Sequence, residues 1–155
     1  MKISLLVVGK TVGVELPRMI DEYAGRLRHY VPFEMIVLPE LRNTKSLSEM
    51  QQKEQEGEMI LRATEGHFLV LLDEHGKEYR SMDFAAQLQR WMNSGRNLTF
   101  VVGGPYGFSP AVYARADAQV SLSKMTFSHQ MIRLLFTEQL YRAMTILRGE
   151  PYHHE

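Results

Sequence analysis

The sequence contains no cysteine, so neither a disulfide nor a thiolate-held metal can contribute to its fold or chemistry. It also lacks an excess of charge of either sign. Eighteen lysines and arginines face eighteen aspartates and glutamates, a formal net charge of zero. A free-standing nucleic-acid binder neutralises phosphates with surplus Lys and Arg, so that class is excluded unless one face is locally basic. Arg18, Arg26, Arg28 and His29 do crowd one helical stretch, and Glu49, Glu54, Glu56 and Glu58 the next. Both groups read equally well as solvated helix faces. No apolar run is long enough to span a membrane. Met1-Lys2-Ile3 leads straight into strand-like residues rather than a signal peptide, which makes a cytoplasmic location the expectation. Repeats and low-complexity linkers are missing too. What remains is a chain of 155 residues, 45% hydrophobic and 23% charged, expected to form one domain over 1–155.

The apolar runs Ile3 to Val8, Phe33 to Leu38, His67 to Leu72 and Leu98 to Val102 read as buried strands, with a brief fifth around Ala118 to Leu122. Asp73-Glu74-His75-Gly76 reads as the turn that ends the third. Helices are expected between them. Met19, Ile20, Tyr23 and Leu27 share one helical face after Pro17. Ser46 and Glu49 fit a capping box for a polar helix running to about Ala63, expected to lie on the rim. Ser81 is expected to cap a helix carrying Phe84, Leu88, Trp91 and Met92, and Ser109-Pro110 to start a short one. The last helix spans about Ser128 to Leu147. Its Ile132, Leu135, Phe136, Leu140, Met144 and Leu147 offer more apolar surface than one face of a monomer needs, which points to a dimer. The alternation predicts an α/β fold with an open, largely parallel five-stranded sheet and helices on both faces.

Two loops follow strands at the edge where open α/β sheets bind ligands. One is Gly103-Gly104-Pro105-Tyr106-Gly107, the other Leu122 to Phe127. Glycines without Cβ atoms let a backbone approach a ligand closely and take positive φ. They serve a tight ligand-free turn equally well. Met125 and Phe127 offer apolar surfaces to a flat base. Gly9-Lys10-Thr11 looks like the end of a phosphate-binding loop, but Ser4 stands where that motif needs its first glycine. The spacing of Gly103, Gly104 and Gly107 is not the dinucleotide fingerprint.

The segments GGPYGFSP and SLSKMTFSHQ and the ending PYHHE, in that order, resemble the bacterial ribosomal RNA large-subunit methyltransferase H family of the SPOUT superfamily. The resemblance covers the whole chain. It implies a C-terminal trefoil knot, with the cofactor-binding part in about 98–150 and a catalytic tail at 151–155. It implies S-adenosylmethionine as methyl donor, whose own activated leaving group makes no metal the expectation, and N3 of a pseudouridine in large-subunit ribosomal RNA, within the ribosome, as target. It implies a homodimer in which one protomer's tail completes the other's site. The residues matching the family's cofactor positions are Leu72, Gly103, Gly104, Leu122, Ser123, Lys124, Met125, Thr126 and Phe127.

Methyl transfer from a sulfonium asks the protein to bind the donor, exclude water and align the nucleophile. A uracil N3–H must also lose its proton. His153 is a candidate proton acceptor or positioner, Arg142 a charge stabiliser, Tyr152 a stacking or hydrogen-bonding group and His154 an auxiliary where the family often has arginine. Arg142 also sits four residues after Glu138, as a plain helical ion pair would. His129 is a further catalytic candidate, or a capping or core histidine. Two other readings stand beside this one: a non-catalytic binder of S-adenosylmethionine or an adenine nucleotide that docks on ribosomes, and a hydrolase using Ser128 and His129. The hydrolase lacks a carboxylate partner at a recognisable spacing.

Overall fold

In the computed structural model, which describes all residues Met1–Glu155, the five strands are β1 (Ile3–Val8), β2 (Phe33–Leu38), β3 (Phe68–Glu78), β4 (Leu98–Val102) and β5 (Ala118–Ser121). They form one sheet in the order β2-β1-β4-β3-β5. Every pairing is parallel, with Ile3 beside both Phe33 and Leu98, and Phe68 beside Leu98. The expected α/β architecture is what forms.

Strand side chains alternate between the two faces of the sheet, and the core divides accordingly. Leu5, Val7, Val70, Phe100 and Val102 point to one face. There they pack under α1 (Glu15–Leu27), α3 (Ser81–Met92) and α5 (Met131–Leu147). Leu6, Leu69, Leu71 and Val101 point to the other, under α2 (Glu49–Ala63) and the short α4 (Pro110–Arg115). On the first face the rings of Phe100 and Phe136 meet with centroids 4.7 Å apart. Such a Phe contributes about 1.5–3 kcal/mol by burial. Phe136, Leu140 and Met144 are therefore core residues of this chain, and only Ile132, Leu135 and Leu147 of the six apolar α5 positions stay partly exposed. No helix is long and apolar enough to cross a membrane.

Four local expectations change. The polar helix starts two residues late: Asn43 takes a left-handed φ of 57°, Thr44–Ser46 form a 3₁₀ turn and Leu47 is extended. The capping box belongs to Ser48 and Gln51, which satisfy each other's backbone N–H groups. Ser81 is the first helical residue rather than a cap; Arg80 holds the cap position and makes no side-chain cap bond. The last helix begins at Met131, where Ser128 Oγ accepts from the Met131 N–H. Residues 73–76 do not end β3. The strand bulges there and resumes pairing, with Lys77 beside Val120 and Glu78 beside Ser121.

Gly76 makes that bulge possible. A Cβ on it would lie 2.6–2.7 Å from the backbone of Gln119 and Val120. Gly76→Ala is therefore expected to cost about 1–3 kcal/mol of overpacking. Gly25→Ala is the comparison: it lies inside α1 with open space around it, and should gain about 0.5–1 kcal/mol. Urea denaturation of the two variants measures both. A Gly76→Ala midpoint equal to wild type would show that the bulge does not press on β5.

Candidate active site

A parallel sheet sends the loops after all its strands to one edge. At that edge the ends of β3, β4 and β5 enclose a cavity of about 360 Å³, the size class of small-molecule and cofactor sites. Leu72 and Val102 line it at the strand ends, together with Gly103, Gly104 and residues of the 122–129 loop. Of the nine residues matched to cofactor positions, eight line this cavity: Leu72, Gly103, Gly104, Leu122, Ser123, Met125, Thr126 and Phe127. Lys124 is exposed and does not line it. His129 does line it, and its ring makes no hydrogen bond within the chain, which leaves a nitrogen lone pair available.

The charge on the cavity wall is one-sided. Asp73 and Glu74 line it, and no lysine or arginine does. The Asp73 side chain is only 10% exposed. It accepts a hydrogen bond of 2.6 Å from the Tyr113 hydroxyl, whose pKa rises mainly through burial and then through that bond. Glu74 accepts from Thr126 Oγ1 at 3.4 Å, which ties the β3 bulge to the 122–129 loop. A wall with carboxylates and no fixed cation suits a cationic ligand and offers nothing to a nucleotide's phosphates. No group of three or more His, Asp or Glu is placed to hold a metal ion.

The glycines have a different cause from the one expected. Gly104 does not have positive φ; Gly107 does, at 81°, closing a turn in which Gly107 N–H donates to Gly104 O at 3.1 Å. A Cβ on Gly103 would press on the Phe108 ring at 3.1 Å. One on Gly104 would lie 2.7 Å from both Glu56 carboxylate oxygens. Both glycines admit groups from behind the loop.

The tail lies elsewhere. It folds onto α5 and α1, where Tyr152 packs on Tyr141 with centroids 4.7 Å apart. Glu138 Oε1 gathers three donors: Arg142 Nε at 3.1 Å, Arg142 Nη2 at 2.7 Å and the Tyr152 hydroxyl at 2.9 Å. Burial, followed by that carboxylate, pushes the Tyr152 pKa up. The Arg142 guanidinium also lies 4.7 Å from the centre of the Tyr152 ring. Arg142, Tyr152 and His153 are thus brought together, while His154 is exposed. None of them lines the cavity. Ile132 does, and the ten residues from it to Arg142 span ~15 Å of helix.

Arg142 also decides which way His153 works. Its Nη1 stands 3.1 Å from His153 Nδ1. A guanidinium has only donors, so Nδ1 is the acceptor and the proton of the neutral ring sits on Nε2. In this arrangement His153 is a hydrogen-bond donor with no free lone pair.

Over residues 1–153 the chain matches the family described as "Predicted SPOUT methyltransferase". The chain belongs to the SPOUT methyltransferase family. Among curated relatives this SPOUT protein is 61% identical to ribosomal RNA large subunit methyltransferase H of Parabacteroides distasonis, over 100% of both chains. It is 56% identical to the protein of the same name from Christiangramia forsetii, over 99% of both. The resemblance read from the three motifs is borne out across the whole chain. Among solved structures it is similar to a tRNA (m1G37) methyltransferase from Aquifex aeolicus, with a TM-score of 0.56 and 12% identity, covering 100% of this chain and 76% of that one. A probable methylase family protein from Haemophilus influenzae Rd KW20 gives 0.58 at 9% identity, covering 95% of this chain and 66% of that one. At such identities the likeness concerns the fold alone.

Sequence reasoning missed three residues of this SPOUT domain. Asp73 reads in sequence as part of a turn, and Glu56 as part of a solvated face. Arg133, 1% exposed, donates from Nη1 to Gly9 O at 2.8 Å and to Thr11 Oγ1 at 3.1 Å. It donates from Nη2 to Val8 O at 3.0 Å, and from Nε to His129 O at 3.1 Å. Burial lowers its pKa. The available signal was an arginine three and seven residues before Phe136 and Leu140, on the face that packs inward.

The tautomer is open to measurement. ¹⁵N NMR of the neutral side chain should show His153 with its proton on Nε2 and an unprotonated Nδ1. Arg142→Met should release that preference. A wild-type ring protonated on Nδ1 would contradict the arrangement.

Proposed function

We propose that the chain is an S-adenosylmethionine-dependent methyltransferase that methylates N3 of a pseudouridine in large-subunit ribosomal RNA. One observation carries this most: a cavity without lysine or arginine, walled by Asp73 and Glu74, in a chain 61% identical over its full length to a large-subunit methyltransferase H. S-adenosylmethionine bears a sulfonium and an ammonium against one carboxylate, a net positive charge that such a wall favours. Its bound role is to supply an electrophilic methyl group.

The chain's own residues do the rest. Leu72, Met125 and Phe127 offer apolar surface to an adenine, and the backbones of 103–104 and 122–127 offer it amides and carbonyls. As N3 loses its proton, negative charge spreads onto the flanking carbonyl oxygens of the base. Arg142 is a donor suited to those oxygens; the Nε2–H of His153 is buried, 3.5 Å from Glu155 Oε1, and reaches the base only once Glu155 moves aside. Tyr152 stacks on or hydrogen-bonds the base. His153 thus positions and stabilises, while the proton passes to water or to His129, the cavity imidazole with a free lone pair.

In one chain the cavity and the tail stand apart, so the working unit is a homodimer in which the partner's tail meets this chain's cavity. Met125 and Phe127 on the cavity lining and Met131 at the start of α5 are exposed, at 78%, 40% and 43%, and such apolar surface is suited to a partner. The segment after β5 threads the trefoil knot of the SPOUT fold. A protein acting on ribosomes works in the cytoplasm.

Calorimetry and ribosome methylation test the reading together. Gly104→Val, whose side chain collides with Glu56, should displace the loop and abolish S-adenosylmethionine binding with an unchanged circular dichroism spectrum. A chain ending at Pro151 should still bind S-adenosylmethionine and yet methylate ribosomes ~100-fold more slowly or worse. His153→Ala should show much of that loss, and Arg142→Ala should not add to it fully. Wild-type rates from the truncated chain would remove the tail from the chemistry. Light scattering should give twice the chain mass; a fully active monomer would refute the shared site.

A further inference from the structure

Residues 103–107 form a loop with little to hold it. Pro105 and Tyr106 are exposed. Its internal hydrogen bond is Gly107 N–H to Gly104 O. From outside, a single side chain bonds to it: Glu56 of α2, whose Oε1 accepts from the Gly104 N–H at 3.0 Å. Both carboxylate oxygens lie over the Gly104 Cα, where a side chain would otherwise stand. The next residue fixes the distance between α2 and the loop. A Cβ on Gly57 would lie 2.5 Å from Ser109 Oγ, the hydroxyl that caps α4 by accepting from Val112 N–H. Helix α2 therefore meets the segment between β4 and α4 at two points, Glu56 on Gly104 in the loop and Gly57 on Ser109 just after it. Neither Glu56 nor Gly57 lines the cavity.

We propose that Glu56 is the positioning residue of the donor-binding loop, holding Gly104 from behind so that the loop keeps its binding shape without the donor. The inference rests on the reading of the cavity as the S-adenosylmethionine site. Preorganisation of this kind raises affinity by removing the ordering cost from the binding step. Burial raises the Glu56 pKa, with the Gly104 N–H opposing it. No lysine or arginine pairs with the carboxylate, so its charged form is held at a cost in stability. That cost grows as pH rises through the raised value, and a fold optimised for stability alone would not keep it. Glu56→Gln removes the cost while keeping an oxygen acceptor for Gly104.

The test is calorimetry of S-adenosylmethionine binding to full-length wild type, Glu56→Ala, Glu56→Gln and Gln55→Ala, with thermal melts of each. Glu56→Ala should bind ~10- to ~100-fold more weakly, the range expected for a lost hydrogen bond to a charged acceptor. Glu56→Gln should bind within about 3-fold of wild type and melt at the same temperature or higher. Gln55→Ala, exposed on the same helix, should match wild type in both. Wild-type affinity in Glu56→Ala would overturn the positioning role and leave the cavity reading intact. So would a Glu56→Gln loss as large as that of Glu56→Ala, because the donor would then be responding to charge rather than to loop shape. Absence of binding by the wild-type chain would overturn both.

Discussion

A parallel sheet places the C-terminal ends of all its strands on one edge, and the rest of this protein follows from that constraint. Strands buried on both faces leave chemistry only to the loops beyond them. The loops after β3, β4 and β5 converge there around one cavity, and the loop after β1 is drawn to the same edge by Arg133. That arginine spends its donors on three carbonyls and a hydroxyl from two distant parts of the chain. Burying a guanidinium with no carboxylate in contact is costly, and the nearby charge of Glu40 offsets part of that cost. Its return is geometric: it fixes the loop after β1 against the start of α5, beside His129.

Charge is then divided between two places. The cavity wall carries Asp73 and Glu74 without a fixed cation, while the tail cluster gathers a cation, Arg142, around Glu138, Tyr152 and His153. The proposed reaction, between a cationic donor and a substrate that becomes negative as it reacts, asks for that division. In the proposed reading neither half is complete alone, since ~15 Å of helix separates Arg142 from Ile132 on the cavity lining. Because Glu138 binds both Arg142 and Tyr152, the tail keeps its shape before any partner or substrate is met.

Much of this was legible in the residues. Continuous β-branched and aliphatic runs identify strands buried on both faces, and the alternation of Leu5, Leu6 and Val7 between two cores shows why both faces had to be apolar. Loop positions followed from the strand ends, and the motifs carried the family. What escaped was set by distant partners. Asp73-Glu74-His75-Gly76 has turn composition, yet pairing with β5 draws it into a bulged strand that local propensity does not foresee. Glu56 looks like any glutamate on a polar helix until Gly104 is placed against it. His153 has two nitrogens in sequence, and only its neighbours in the fold, the guanidinium at Nδ1 and Glu155 near Nε2, decide which one carries the proton.

The most direct measurement is the identity of the product. The wild-type chain is incubated with ribosomes and S-adenosylmethionine carrying a labelled methyl group, and the RNA is then digested and read by mass spectrometry. The account predicts one labelled methyl per large subunit, on the N3 of a pseudouridine, and none in the small-subunit RNA. Label in transfer RNA, on a different base atom, or nowhere, would contradict it.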